Sequence, residues 1–146
     1  MSEQRTGPVG FEDIDVGHEF PPLRLVLGGE QVRRYALAAR MPGGRFMSDA
    51  EARKEGLPGQ IVPGNLSIAL FSRLIGEALP GAGLQRLSAT FRGLVRPGQA
   101  LVVRGVVTEK HCTDDGDALE CDLVLESEDG DRWVTGTARV RLPAAR

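Results

Sequence analysis

At 146 residues, with a formal charge of -2 and a pI near 5.7, the chain has the length of one domain with its own core and lacks the basic surface of a nucleic-acid binder. No apolar run approaches the roughly 20 residues needed to span a bilayer, and the polar opening MSEQRTGPVG has no signal-peptide core, so the expected location is the cytoplasm. Residues 1–10 read as a flexible segment, 11–142 as a single domain and 143–146 as a tail.

Residues 11–18, FEDIDVGH, form an approach segment that turns at Gly17. A short strand follows at Leu23–Leu27, where Leu23, Leu25 and Leu27 alternate with Arg24 and Val26, and Gly28-Gly29 closes it. Residues 30–40, EQVRRYALAAR, favour a helix with Val32, Tyr35, Ala36 and Ala39 on one face, ended by Met41-Pro42-Gly43-Gly44. Ser48 and Glu51 have capping-box spacing: the hydroxyl accepts from the N–H three residues on and the carboxylate reaches back, predicting a short helix from Asp49 to Glu55 that stops at Gly56.

The next helix is the apolar one. Residues 65–79 carry Leu66, Ile68, Ala69, Leu70, Phe71, Leu74, Ile75, Ala78 and Leu79 around most of the circumference, the pattern of a helix enclosed by other layers. Pro63-Gly64 begins it and Pro80-Gly81 ends it. Gly64 leaves free N–H groups at the positive end of the helix dipole, where a carbonyl oxygen or an anion can bind.

From Leu84 onward a period of two replaces the helical one. Strands are predicted at Leu84–Val95 and Leu101–Val107, separated by Arg96-Pro97-Gly98. Leu119–Glu126 alternates most clearly, and Asp129-Gly130 folds Trp133–Leu142 back on it. The sum is an α+β domain: one antiparallel sheet wrapped on a mainly buried helix. Cys112 and Cys121 lack metal-ligand or redox spacing and read as reduced thiols, and no Gly-rich phosphate loop or nucleophile triad is present.

FEDIDVGHEF near the start, ALAAR before a Gly/Pro loop, SDAEARKEG, IVPGNLS leading into the long helix, and FRGLVRPGQAL occur in an order that resembles the MaoC-like hydratase and dehydratase family. The resemblance covers roughly residues 11–142 and implies a hot-dog fold, a curved antiparallel sheet around a long central helix, paired edge to edge with a second hot dog as a homodimer or heterodimer. It also implies an acyl thioester of coenzyme A or acyl carrier protein as substrate or ligand, with no further cofactor. In active members an Asp and a His between the first helix and the capped helix add or remove water at an enoyl double bond. The N–H at the start of the central helix polarises the thioester carbonyl, on which charge grows in the transition state.

Matched to that pattern, the histidine position is Met47 and the aspartate position falls near Pro42, inside MPGGRF, so neither proton carrier is kept. The His-Gly pair that starts the central helix is here Pro63-Gly64, so carbonyl recognition carries over to Gly64 alone. Asp49 reads as the acidic first-turn residue of the capped helix, with a replacement acid as the alternative. Asn65 and Ser67 can start the helix or bind a substrate oxygen. Tyr35, Phe46, Met47 and Phe71 would line an acyl tunnel or fill the core. Arg92 and Arg96 are exposed strand arginines or contacts for coenzyme A phosphates. His18 and His111 lie outside the catalytic loop and read as surface or turn residues. Three readings remain open: a non-catalytic half of a heteromeric hydratase, a stand-alone enzyme with altered chemistry (dehydratase, isomerase, thioesterase or cyclase), and a binding module for a small apolar ligand.

Overall fold

The alternation of Leu119, Cys121, Leu123 and Leu125 becomes the middle strand of a five-stranded antiparallel sheet. The structure, a computed structural model, describes residues 10–144. The expected N-terminal segment therefore lies outside the described residues except for Gly10, as does the end of the tail.

The strands are β1 (Leu23–Val26), β2 (Gly83–Phe91), β3 (Ala100–Thr113), β4 (Gly116–Ser127) and β5 (Arg132–Arg141), in the spatial order β1-β3-β4-β5-β2. The helices are α1 (Gly29–Ala38), α2 (Asp49–Lys54) and α3 (Gly64–Ala78). This is the hot-dog arrangement, with the sheet curved around α3. Short turns do what the sequence asks of them: Gly17, Gly116 and Gly130 all adopt positive φ, which a residue without a Cβ accepts without strain.

Three elements differ from expectation. β3 runs six residues past Val107 because Thr108 is an extra residue in the ladder, between the pairs Val107–Cys121 and Glu109–Glu120. Its hydroxyl donates to the Glu120 carbonyl (3.2 Å), and the alternation changes phase there, which hides the strand's continuation from a period-two reading. β2 ends at Phe91 rather than Val95, because Arg92 and Gly93 both donate to the Trp133 carbonyl (2.9 and 3.2 Å) and close the ladder. In the capped helix, the Ser48 hydroxyl accepts from Glu51 N–H (3.1 Å) as predicted, but the Glu51 carboxylate turns to Lys54 (2.9 Å) instead of reaching back.

The central helix also buries less of itself than its composition implies. Ser67, Leu70, Phe71, Leu74 and Ile75 face the sheet, while Asn65, Ala69, Ser72, Arg73, Gly76 and Glu77 are exposed. One chain thus covers one side of α3, and the helix is a stripe on the core rather than an enclosed rod. The core joins this stripe to Val103, Val107, Leu119, Cys121, Leu123, Leu125, Val134, Ala138 and Val140. Each fully buried valine or leucine among them contributes about 1.5–3 kcal/mol of transfer free energy.

Two glycines set how deeply α3 sits. A Cβ on Gly136 would lie 3.0 Å from the Phe71 ring and 2.6 Å from the Ser88 carbonyl oxygen. One on Gly105 would meet Phe20 at 2.7 Å and Leu74 at 3.2 Å. Mid-strand glycine weakens a ladder, so its presence here marks the close approach of the helix.

Candidate functional site

The first turn of α3 is left open by its own sequence. Pro63 occupies the N-cap, where it has neither a side-chain acceptor nor an N–H. Its carbonyl accepts from Leu66 (3.0 Å) and Ser67 (3.4 Å), which leaves the N–H groups of Gly64 and Asn65 without an acceptor among the described residues. Ser67 is 1% exposed, on the buried side of the same turn. Free donors at the positive end of a 15-residue helix can hold a carbonyl oxygen.

A side chain not anticipated from the sequence lies beside this tip. Phe91, the last residue of β2, rests its ring on Gly64: a Cβ at Gly64 would be 2.9 Å from its Cζ. The ring occupies the space that a side chain at residue 64 would need. Phe91 is nevertheless 51% exposed, since no strand among the described residues pairs with the outer edge of β2.

The loop between α1 and α2 carries Pro42, Phe46 and Met47. Pro42 is exposed, whereas Phe46 and Met47 are half-buried. The loop is tied down by Gln60, a residue that the sequence did not single out. Gln60 is 7% exposed, and its amide donates to the Phe46 carbonyl (2.8 Å) and to the Gly29 carbonyl (2.9 Å) at the start of α1. Its backbone N–H donates to Asp49 Oδ1 (2.8 Å). Asp49 thus belongs to a knot that joins α1, the loop and α2. Arg96 comes against Gly59 beside the same carboxylate, in space that exists because residue 59 has no side chain.

The other expected site residues are scattered. Phe71 is fully buried against Gly136, and Tyr35 is half-buried on α1. Asn65 is exposed at the tip of α3. Arg92 donates to the Thr135 hydroxyl (3.2 Å), away from Arg96. His18 stands edge-on to Phe20, and His111 lies 3.0 Å from the Glu109 carboxylate, both remote in the chain from the loop at 42–47. A concavity of about 550 Å³ lies on the other face of the sheet, where Ser88, Thr90, Arg104, Val106, Asp122, Val124, Thr135 and Thr137 alternate with the inward residues.

The sequence profile described as MaoC like domain matches residues 46–127. A solved structure described as an (R)-hydratase from A. caviae involved in PHA biosynthesis is 25% identical, with a TM-score of 0.81 over 90% of this chain and 99% of that one. R-hydratase PhaJ1 from Pseudomonas aeruginosa is 20% identical, with a TM-score of 0.84 over 94% and 88%. The ChsH1-ChsH2 complex from Mycobacterium tuberculosis is 20% identical, with a TM-score of 0.78 over 88% and 98%. The last two bear on the fold alone. A search of curated proteins by sequence gives no match.

Proposed function

The chain belongs to the MaoC-like domain family, and we propose that within it the chain serves as a non-catalytic subunit, holding an acyl thioester at the tip of α3 for a partner hot dog that supplies the acid and base. The observation that carries this reading is the loss of both proton carriers beside a preserved helix tip. By the resemblance, Pro42 and Met47 stand where the Asp and His would be, and neither exchanges a proton near neutral pH. Losing such a group costs about 100- to 10,000-fold in rate. Asp49, the acid nearest in sequence, already accepts the Gln60 N–H.

Binding needs less than catalysis, and its parts remain. The Gly64 and Asn65 N–H groups point the positive end of α3 at a carbonyl oxygen, whether the thioester comes from coenzyme A or acyl carrier protein. The partner's place is the open edge of β2, where Leu84, Phe91 and the nearby Leu94 are exposed. An unpaired edge with apolar side chains is a template for another strand. Among structures of similar fold, the ChsH1-ChsH2 and HadBC complexes are each named for two different chains.

The Ser67 hydroxyl, on the buried side of the first turn of α3, supports a second reading, an enzyme in its own right with altered chemistry. Incubation of the purified chain with crotonyl-CoA separates the two. The subunit reading expects no hydration by the chain alone, and hydration when it is co-expressed with a hot-dog chain that keeps the Asp and His. Hydration by the chain alone, abolished by Ser67→Ala, refutes it.

A further inference from the structure

We infer that the open edge of β2 is charged to take a partner strand lined with carboxylates and to turn away a second copy of this chain, an inference that deepens, and rests on, the partner reading above. No carboxylate occurs between Glu77 and Glu109, whereas Arg86, Arg92 and Arg96 lie in β2 or just after it. On the outer face of the sheet β2 presents Arg86, Ser88 and Thr90, and Arg92 keeps to that face by donating to the Thr135 hydroxyl (3.2 Å). Arg86 donates to Glu120 (2.9 Å), but Arg139 holds the other oxygen of the same carboxylate (2.9 Å), so one negative charge serves two positive ones. The Arg86 side chain is 60% exposed, and Arg92 is exposed as well. Positive charge therefore remains toward both ends of the edge.

Two copies joined edge to edge about a two-fold axis would lay β2 antiparallel to itself, and each face of one sheet would continue into the same face of the other. The outer-face positions that meet across such a seam are 86, 88, 90 and 92 of either copy. With Ser88 opposite position 90, Arg86 stands directly across from Arg92, and the symmetry repeats the clash. With Ser88 opposite position 88, Arg86 is diagonal to Arg92; with Ser88 opposite position 86, it is diagonal to the other copy's Arg86. In each register arginine meets arginine within the reach of a long side chain. Like charges across a seam oppose pairing and opposite charges favour it, which is how an interface rejects a wrong partner. On the other face, the exposed Leu84 and Phe91 offer contact area to any strand, and the arginines choose among them. A chain without proton carriers makes an inactive pair with itself, so discrimination at this edge serves the subunit reading.

Arg92→Glu tests the inference, because it gives Arg86 of a second copy a carboxylate to face while leaving the Arg86–Glu120–Arg139 group intact. Self-association of the full chain is measured by sedimentation equilibrium in about 0.05 M and about 0.5 M NaCl. At low salt Arg92→Glu should self-associate about tenfold more tightly than the wild type, and at high salt, where exposed charges are screened, the gap should fall below about threefold. Wild type mixed with Arg86→Glu/Arg92→Glu, a copy whose edge is acidic, should form a mixed dimer about tenfold tighter than either forms alone. The single variant covers the case in which the double one, deprived of the bond to Glu120, does not fold. Arg33→Glu on α1 makes the same change of net charge outside β2 and should leave self-association within about threefold of the wild type. A wild type that pairs with itself as tightly as Arg92→Glu, or an Arg33→Glu that matches Arg92→Glu, overturns the selection by charge and leaves β2 standing as the partner's place. No association in any of these pairs overturns both.

Discussion

Replacing Asp49 by alanine distinguishes a structural carboxylate from a catalytic one. The Asp49 Oδ1 atom accepts the Gln60 N–H at 2.8 Å and sits in the first turn of α2. A hydrogen bond to a charged group contributes about 1.5–3 kcal/mol, and a carboxylate at a helix start about 0.3–1 kcal/mol. Asp49 is exposed, so the lower part of the combined range applies, and a loss of about 2 kcal/mol is expected. For a chain of this size that lowers Tm by roughly 4–8 °C. Asparagine keeps an acceptor in place and should recover about half of the loss. Circular dichroism melts and urea titrations of the wild type, Asp49→Ala and Asp49→Asn measure this directly. The reasoning fails if Asp49→Ala melts within about 1 °C of the wild type. It fails equally if that variant keeps its stability while losing a thioester turnover that the wild type possesses.

Gln60→Leu should cost about 2–3 kcal/mol in urea denaturation, because it strands the Phe46 and Gly29 carbonyls in a buried site. Gly136→Ala should cost about 3 kcal/mol or prevent folding, since its Cβ would meet the Ser88 backbone oxygen, which cannot move aside; a change below about 1 kcal/mol contradicts the notch. Arg40 ends α1 with φ 55°, so Arg40→Gly should stabilise by about 0.5–1 kcal/mol and raise Tm by a few degrees. Burial, followed by the Glu120 and Asp122 carboxylates, pushes the Cys121 thiol up to about 12 from an ordinary 9.0. The folded state then keeps a proton that the unfolded chain releases, so this contribution to stability is intact below pH 9.0 and is lost as the pH rises toward about 12. Cys121→Ala should flatten that alkaline decline, and an aromatic disulfide reagent near neutral pH should find exposed Cys112 in the native protein and both thiols after unfolding.

Much of the scaffold was legible because its signals are local. The Ser48 cap, the Asp129-Gly130 turn and the alternation in β4 each lie within a few residues of sequence, and each appears in the structure. The extension of β3 past Thr108 was not legible, because a bulge breaks the period that announces a strand. Gln60 gave no signal either: its amide partners are 14 and 31 residues away, and a buried glutamine looks like any loop glutamine until they are assembled. The exposed side of α3 was misread because counting apolar residues does not tell which neighbours cover them, and alanine and glycine suit either side. At the site, Gly64 was legible as a helix start, but the ring that fills the space beside it belongs to Phe91, which arrives from a strand 27 positions later.

The notches at Gly105 and Gly136 reach beyond packing. From Gly64 to Phe71 is about two turns, or roughly 10 Å along the axis. Contact with main chain, which has no rotamers to give, sets the height of that midpoint and with it the height of the amides at the end. A single methyl group in either notch would tilt the whole lever, the amides at its far end included.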